Sequence, residues 1–241
     1  MNVSVGFFAE TSLPESNLHF VLTRATAEAQ VILVVLALFS IFAWTIMFFK
    51  AIQMKRAIQL NQNFDSVFRT EKSVLGIYER HLEVSGCPYF AVYKEACQEL
   101  DARLKAAGPG SDGKRLTLKA MEHIKRTLES AVARESIKLE SGLILLASAV
   151  TGAPFLGLLG TVWGVMDTFA MVGQAQSASL ERMAPGVSAA LITTVAGLVV
   201  AIPSMFGYNF LVHNLRVRTV ELDNFAQELV SKMETEYLMD E

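Results

Sequence analysis

The chain has 241 residues, of which 52% are hydrophobic and 19% charged, with 15 Phe and 10 Met. A soluble domain carries roughly 25% charged residues, so the composition excludes most soluble classes, and a formal charge of -3 excludes a general attraction to nucleic acid. Two cysteines, Cys87 and Cys97, are too few for a disulfide-dense scaffold, and neither has a second ligand at metal-site spacing.

Residues 1–30 are mostly polar and are followed by an uncharged run over 31–49. Nineteen residues make about 28 Å of helix, close to the hydrocarbon thickness of a bilayer. With a polar segment ahead of it and no small-residue cleavage site after it, the run reads as a spanning helix rather than a secretory leader. Lys50, Lys55 and Arg56 follow directly and mark that end as cytoplasmic.

Residues 50–140 carry 16 Lys+Arg against 12 Asp+Glu and read as a cytoplasmic helical domain. Ile58, Phe64, Val67 and Phe68 extend the first helix beyond the bilayer. Breaks are expected at 85–88 (SGCP) and 108–113 (GPGSDG). Leu118, Met121, Ile124, Leu128, Ala131 and Val132 then form an amphipathic stripe on a helix expected to run straight into the next span. Within GPGSDGKR the GK[ST] ending of a phosphate loop is missing. His81 and His123 stand alone, and Cys87 and Cys97 read as buried helix residues. No catalytic, metal or cofactor site is expected, and the protein is not read as an enzyme.

The second span, 141–166, holds Gly157, Gly160 and Gly164 at close-packing spacing, with Thr161 among them and Pro154 as an expected kink. Residues 167–182 form a short outer connection with Asp167 as a possible outer entrance. The third span, 183–212, places Gly186, Ala190, Thr194, Gly197 and Ala201 on one face, with Thr193 beside them. Val187, Leu191, Val195, Leu198 and Ile202 lie opposite. Pro185 suits a first turn, and Pro203 is a second expected kink. A cytoplasmic helix is expected to continue over 213–241, with Leu215, Leu222, Phe225, Leu229 and Met233 at helical spacing. The charge balance then puts the N-terminus outside and the C-terminus inside.

The three apolar runs contain no Asp, Glu, Lys, Arg or His. Proton conduction needs a titratable group within the membrane. The chain offers hydroxyls that orient water but nothing that holds the proton, so a partner must bring the carboxylate.

The stretches GLLGTVWGVMDTF (157–169) and APGVSAALITTVAGLVVAIPSMFGYN (184–209) resemble the MotA/TolQ/ExbB proton-channel family. The resemblance implies an all-α integral membrane protein of the bacterial inner membrane, multi-pass, with three transmembrane helices and long cytoplasmic helical extensions. It also implies a homopentamer around a dimer of a one-span partner similar to TolR or ExbD. That partner's membrane Asp supplies the missing carboxylate, and a TolA- or TonB-like envelope protein receives the work. Thr161 matches the Thr of the family's GTVWG motif and Thr194 that of its A-[TS]-x-x-G-L stretch, which makes both expected pore-lining hydroxyls. The family's PGIAEAL carries a Glu where this chain has Ala189, so its pathway is expected to lean on the partner's carboxylate. The short N-terminal segment and the tail pattern ELDNFAQELV (221–230) look more like the TolQ branch, implying a Tol-Pal role in outer-membrane integrity and division. An ExbB-like role in TonB-dependent uptake and a non-conducting scaffold remain the alternatives. The four-span flagellar branch does not fit.

Overall fold

The computed structural model describes residues 27–80, 83–106, 116–174 and 180–238. Six helices make up nearly all of it: α1 Ala27–Thr70, the single turn α2 Gly76–Glu79, α3 Pro88–Ala106, α4 Leu118–Glu140, α5 Leu143–Gln174 and α6 Leu180–Tyr237. One isolated bridge joins Leu116 to Leu238. The expected break at 108–113 and most of the N-terminal segment lie outside the described residues.

Helix α1 runs for 44 residues without a Gly or Pro. Its end is capped by Lys232, whose Nζ donates to the carbonyls of Phe68 at 3.1 Å and Glu71 at 2.7 Å. These carbonyls belong to the set a helix C-terminus leaves without intrahelical partners. The break expected at 85–88 is present. Gly86 there has φ +83°, and α3 restarts with Pro88 in the first helical position, where its missing N–H costs nothing. Cys87 precedes this helix rather than lying in it, and its Sγ accepts from the Phe90 N–H at 3.4 Å. Thr117 caps α4 by accepting from the Ala120 N–H at 3.3 Å.

The expectation that α4 runs unbroken into the second span fails at Ser141–Gly142. Gly142 has φ +84°, a conformation glycine adopts without steric cost. Lys50 fixes the break from the other side of the chain. It is 4% exposed, and its Nζ donates to the Leu139 carbonyl at 3.1 Å and to Gln53 Oε1 at 2.9 Å. A cation on the last carbonyls of α4 opposes the helix dipole favourably. Burial holds the Lys50 pKa below its ordinary value. Past the break, α5 continues through Pro154 and Asp167 to Gln174. Helix α6 passes through both Pro185 and Pro203 without interruption, so Pro185 lies inside the helix rather than in its first turn.

The described residues fall into two compact units, one formed within 27–43 and 148–205, the other within 44–147 and 206–238. The second holds an extensive apolar core. Phe64 and Phe68 of α1, Tyr93 and Cys97 of α3, Ile124 and Leu128 of α4, and Leu222, Phe225, Leu229 and Met233 of α6 meet in it, all at most 5% exposed. Phe64 meets the rings of Phe68, Phe90, Tyr93 and Phe225, and Phe225 in turn stacks on Tyr89 at 4.4 Å and lies edge-on to Phe68 at 5.3 Å. Each such side chain contributes about 1.5–3 kcal/mol by leaving water. Leu118 and Val67, assigned to the apolar stripes, are exposed instead.

In the first unit, Ile32 and Leu36 of α1 pack on Ala153 of α5 and on Val200 and Ala201 of α6. Large apolar side chains point outward, among them Val34 and Leu38 of α1, Phe155 of α5, and Leu191, Val195 and Ile202 of α6. Helices α1, α5 and α6 are each long and apolar enough to cross a membrane. A helix apolar on its outward face is stable only in lipid or against another apolar surface. This is a multi-pass membrane protein.

Candidate functional site

Helices α5 and α6 run antiparallel and close. A Cβ placed on Gly157 would lie 2.7 Å from the Thr193 carbonyl oxygen and 3.0 Å from the Thr194 Cα. One on Gly197 would lie 2.6 Å from the Ala153 carbonyl oxygen. Backbones at this distance exclude any side chain, which is how small residues let helices associate in lipid. Further along, Gly160 meets Thr193, Gly164 meets Ala190, and Gly186 meets Thr168. Gly157, Gly160, Gly164, Gly186, Ala190 and Gly197 therefore lie along one seam.

Three threonine hydroxyls gather at its middle. Thr161 of α5 and Thr194 of α6 share a short Oγ1–Oγ1 hydrogen bond, and both are half-buried. The Thr161 hydroxyl also lies 3.2 Å from each of the Gly157 and Ala190 carbonyl oxygens, alternative acceptors for its one proton. Thr194 reaches the Gly157 carbonyl at 3.1 Å. Thr193 is fully buried, and its hydroxyl lies 2.7 Å from the Ala190 carbonyl and 3.0 Å from that of Gly157. The structure thus brings Thr161 and Thr194 together, and it adds Thr193, which the sequence reading placed only beside the face. The spacing of Gly186, Ala190, Thr193 and Gly197, alternately four and three apart, was the signal for it. Thr168, also buried, returns its hydroxyl to the Gly164 carbonyl at 2.7 Å.

Asp167 is partly buried in α5 beside Thr168 and does not join the hydroxyl cluster. Ala189 is buried against Ala29 of α1, so the position where the sequence comparison expects a Glu is a close alanine–alanine contact here. Among the described residues no group of His, Cys, Asp and Glu could hold a metal ion. Chemically, the cluster can donate hydrogen bonds to an anion and orient water, but it has no group of its own that titrates near neutrality.

Residues 96–224, just over half of the chain, match the model of the MotA/TolQ/ExbB proton channel family. The chain belongs to that family. It is 33% identical over 207 residues to a biopolymer transport protein ExbB of Xanthomonas campestris pv. campestris, covering 84% of this chain and 80% of the relative. It is 32% identical over 216 residues to a Tol-Pal system protein TolQ of Haemophilus influenzae, covering 86% and 90%. A Tol-Pal system protein TolQ of Pseudomonas aeruginosa is 31% identical over 191 residues, covering 78% and 80%. The family is a class of channel and stator subunits, and the protein is not an enzyme. The matched segment includes the α5–α6 seam and its three threonines.

Proposed function

We propose that the chain is the channel subunit of a motor driven by the proton-motive force in the bacterial inner membrane. Its N-terminus lies outside and its C-terminus in the cytoplasm. Five copies surround two copies of a one-span TolR- or ExbD-like protein whose membrane Asp carries the proton. The observation that carries this reading is the half-buried Thr161–Thr194 hydroxyl pair, set in apolar runs that hold no Asp, Glu, Lys, Arg or His.

An ionised carboxylate accepts only, and charge-assisted hydrogen bonds are about twice as strong as neutral ones. The two hydroxyls therefore hold the partner's Asp when it is ionised and release it when it is protonated. Alternating capture and release along successive copies converts proton entry into stepwise rotation, delivered to an envelope protein of the TolA or TonB kind. Asp167 is the proposed outer entrance.

The Tol-Pal role is favoured by the tail pattern over 221–230, where Leu222, Phe225 and Leu229 are buried in the cytoplasmic core. An ExbB-like role in TonB-dependent uptake is supported by the ExbB relative at 33% identity. Both use the same hydroxyl pair.

Thr194→Val removes the donor at nearly constant volume. It is expected to abolish coupling while the complex still assembles. An intact envelope phenotype in a strain carrying only Thr194→Val would refute the pore assignment, and a non-conducting scaffold would then account for the seam.

A further inference from the structure

We propose that Thr193 is a positioning residue that decides whether the Thr194 hydroxyl proton is spent on the helix wall or offered to a carboxylate. The inference rests on the reading of Thr161 and Thr194 given above, and it concerns a residue that the family's A-[TS]-x-x-G-L stretch fills with alanine.

Three hydroxyls lie within hydrogen-bond distance of one oxygen, the Gly157 carbonyl: Thr193 at 3.0 Å, Thr194 at 3.1 Å and Thr161 at 3.2 Å. A carbonyl has two lone pairs, and inside a helix one is engaged by the N–H four residues on. One hydroxyl, not three, can be accepted well.

The three competitors differ in exposure. Thr161 and Thr194 are half-buried, whereas Thr193 is 0% exposed. A buried hydroxyl must donate within the protein or bear the cost of an unmade bond. Its two near carbonyl acceptors are those of Gly157 and Ala190, the latter at 2.7 Å. When Thr193 donates to Gly157, Thr194 loses its carbonyl acceptor and its proton turns to Thr161 or to an incoming anion, while Thr161 keeps the Ala190 carbonyl at 3.2 Å. When it donates to Ala190, the Gly157 carbonyl reopens and competes with the anion. Thr193 is thus a two-position donor lying against both members of the docking pair. Its methyl group and Cβ, packed on Gly160, fix the side chain in place.

The test uses the complex as purified with its own partner, reconstituted in vesicles, and reads proton flux against pH. Thr193→Val keeps the packing but leaves the Gly157 carbonyl to Thr194. The ionised carboxylate then loses part of a hydrogen bond, its pKa rises, and the flux profile is expected to move up by about one pH unit. Thr193→Ser restores the donor without the methyl group and is expected to return the profile to that of the wild type. An unshifted profile for Thr193→Val would overturn the proposal. So would an equal shift for Thr193→Ser, because packing alone would then explain it. If Thr193→Val fails to assemble, Thr193→Ser decides: a wild-type profile supports the hydroxyl role, and a shifted one overturns it. Thr194→Val run in parallel separates the two levels. Lost flux there with no shift for Thr193→Val sinks only the role of Thr193, while unchanged flux for Thr194→Val sinks the underlying reading.

Discussion

Gly160→Ala is the smallest perturbation that probes the α5–α6 seam. The added Cβ would fall 2.7 Å from the Thr193 Cβ and 3.0 Å from its Cγ2. Carbon atoms rest at about 3.5–4.0 Å, so the two helices must part locally by about 1 Å. Thr193 cannot swing away, because a β-branched side chain in a helix has essentially one or two rotamers and this one is fully buried. Overpacking of this kind costs about 1–3 kcal/mol. The same movement stretches the 3.0 Å bond from Thr193 to the Gly157 carbonyl, adding about 1 kcal/mol. The helix propensity gained in replacing Gly by Ala returns about 1 kcal/mol, so the net loss is about 1–3 kcal/mol. For a chain of this size that lowers the unfolding midpoint by about 3–10 °C. Gly152→Ala is the matched control in the same helix, since nothing lies within 4 Å of its added Cβ, and its midpoint is expected to stay level or rise slightly. Thermal unfolding in mild detergent, followed by the fluorescence of Trp44 on α1 and Trp163 on α5, measures both. A Gly160→Ala midpoint within 1 °C of the wild type, or equal losses for the two variants, would refute the close approach.

Other expectations follow from the same structure. Lys232→Met removes the cap on α1 and a cation 4.4 Å above the Phe68 ring. It is expected to cost about 1–3 kcal/mol in chemical denaturation, and no loss would show the cap to be unimportant. Ala189→Glu forces a carboxylate into the buried contact with Ala29, so it is expected to lower the yield of folded protein rather than improve coupling; higher coupling at normal yield would contradict the packing described. In the core of the second unit, burial pushes Tyr89 and Tyr237 up to about 12 and Tyr93 higher still. Their unfolded counterparts ionise near pH 10, so the stability they contribute is complete below pH 10 and is lost as pH rises from 10 to 12. Tyrosinate absorbance that rises freely at pH 10 in the folded protein would contradict this.

The three apolar spans and the core of the second unit were legible because each depends on a local pattern: uncharged runs near bilayer length, and apolar residues three or four apart. Leu222, Phe225 and Leu229 follow directly from that spacing. The break between α4 and α5 was not legible, since the apolar pattern runs through it. What fixes it is Lys50, about ninety residues earlier in the chain, and the sequence shows that lysine only as a charge at a membrane edge. The site divides the same way. Family motifs mark Thr161 and Thr194, whereas the weight of Thr193 emerges only when two helices converge on the Gly157 carbonyl. Ala189 reads as a lost carboxylate in the sequence, and the structure shows a position packed on α1.

The central claim is that this chain supplies hydroxyls to a carboxylate brought by another protein. Native mass spectrometry of the complex, extracted gently from its own membrane, tests it most directly. Five copies of this chain with two of a one-span protein bearing a membrane Asp is the result expected. A homo-oligomer recovered reproducibly without such a partner, under conditions that keep related motor complexes whole, would contradict it.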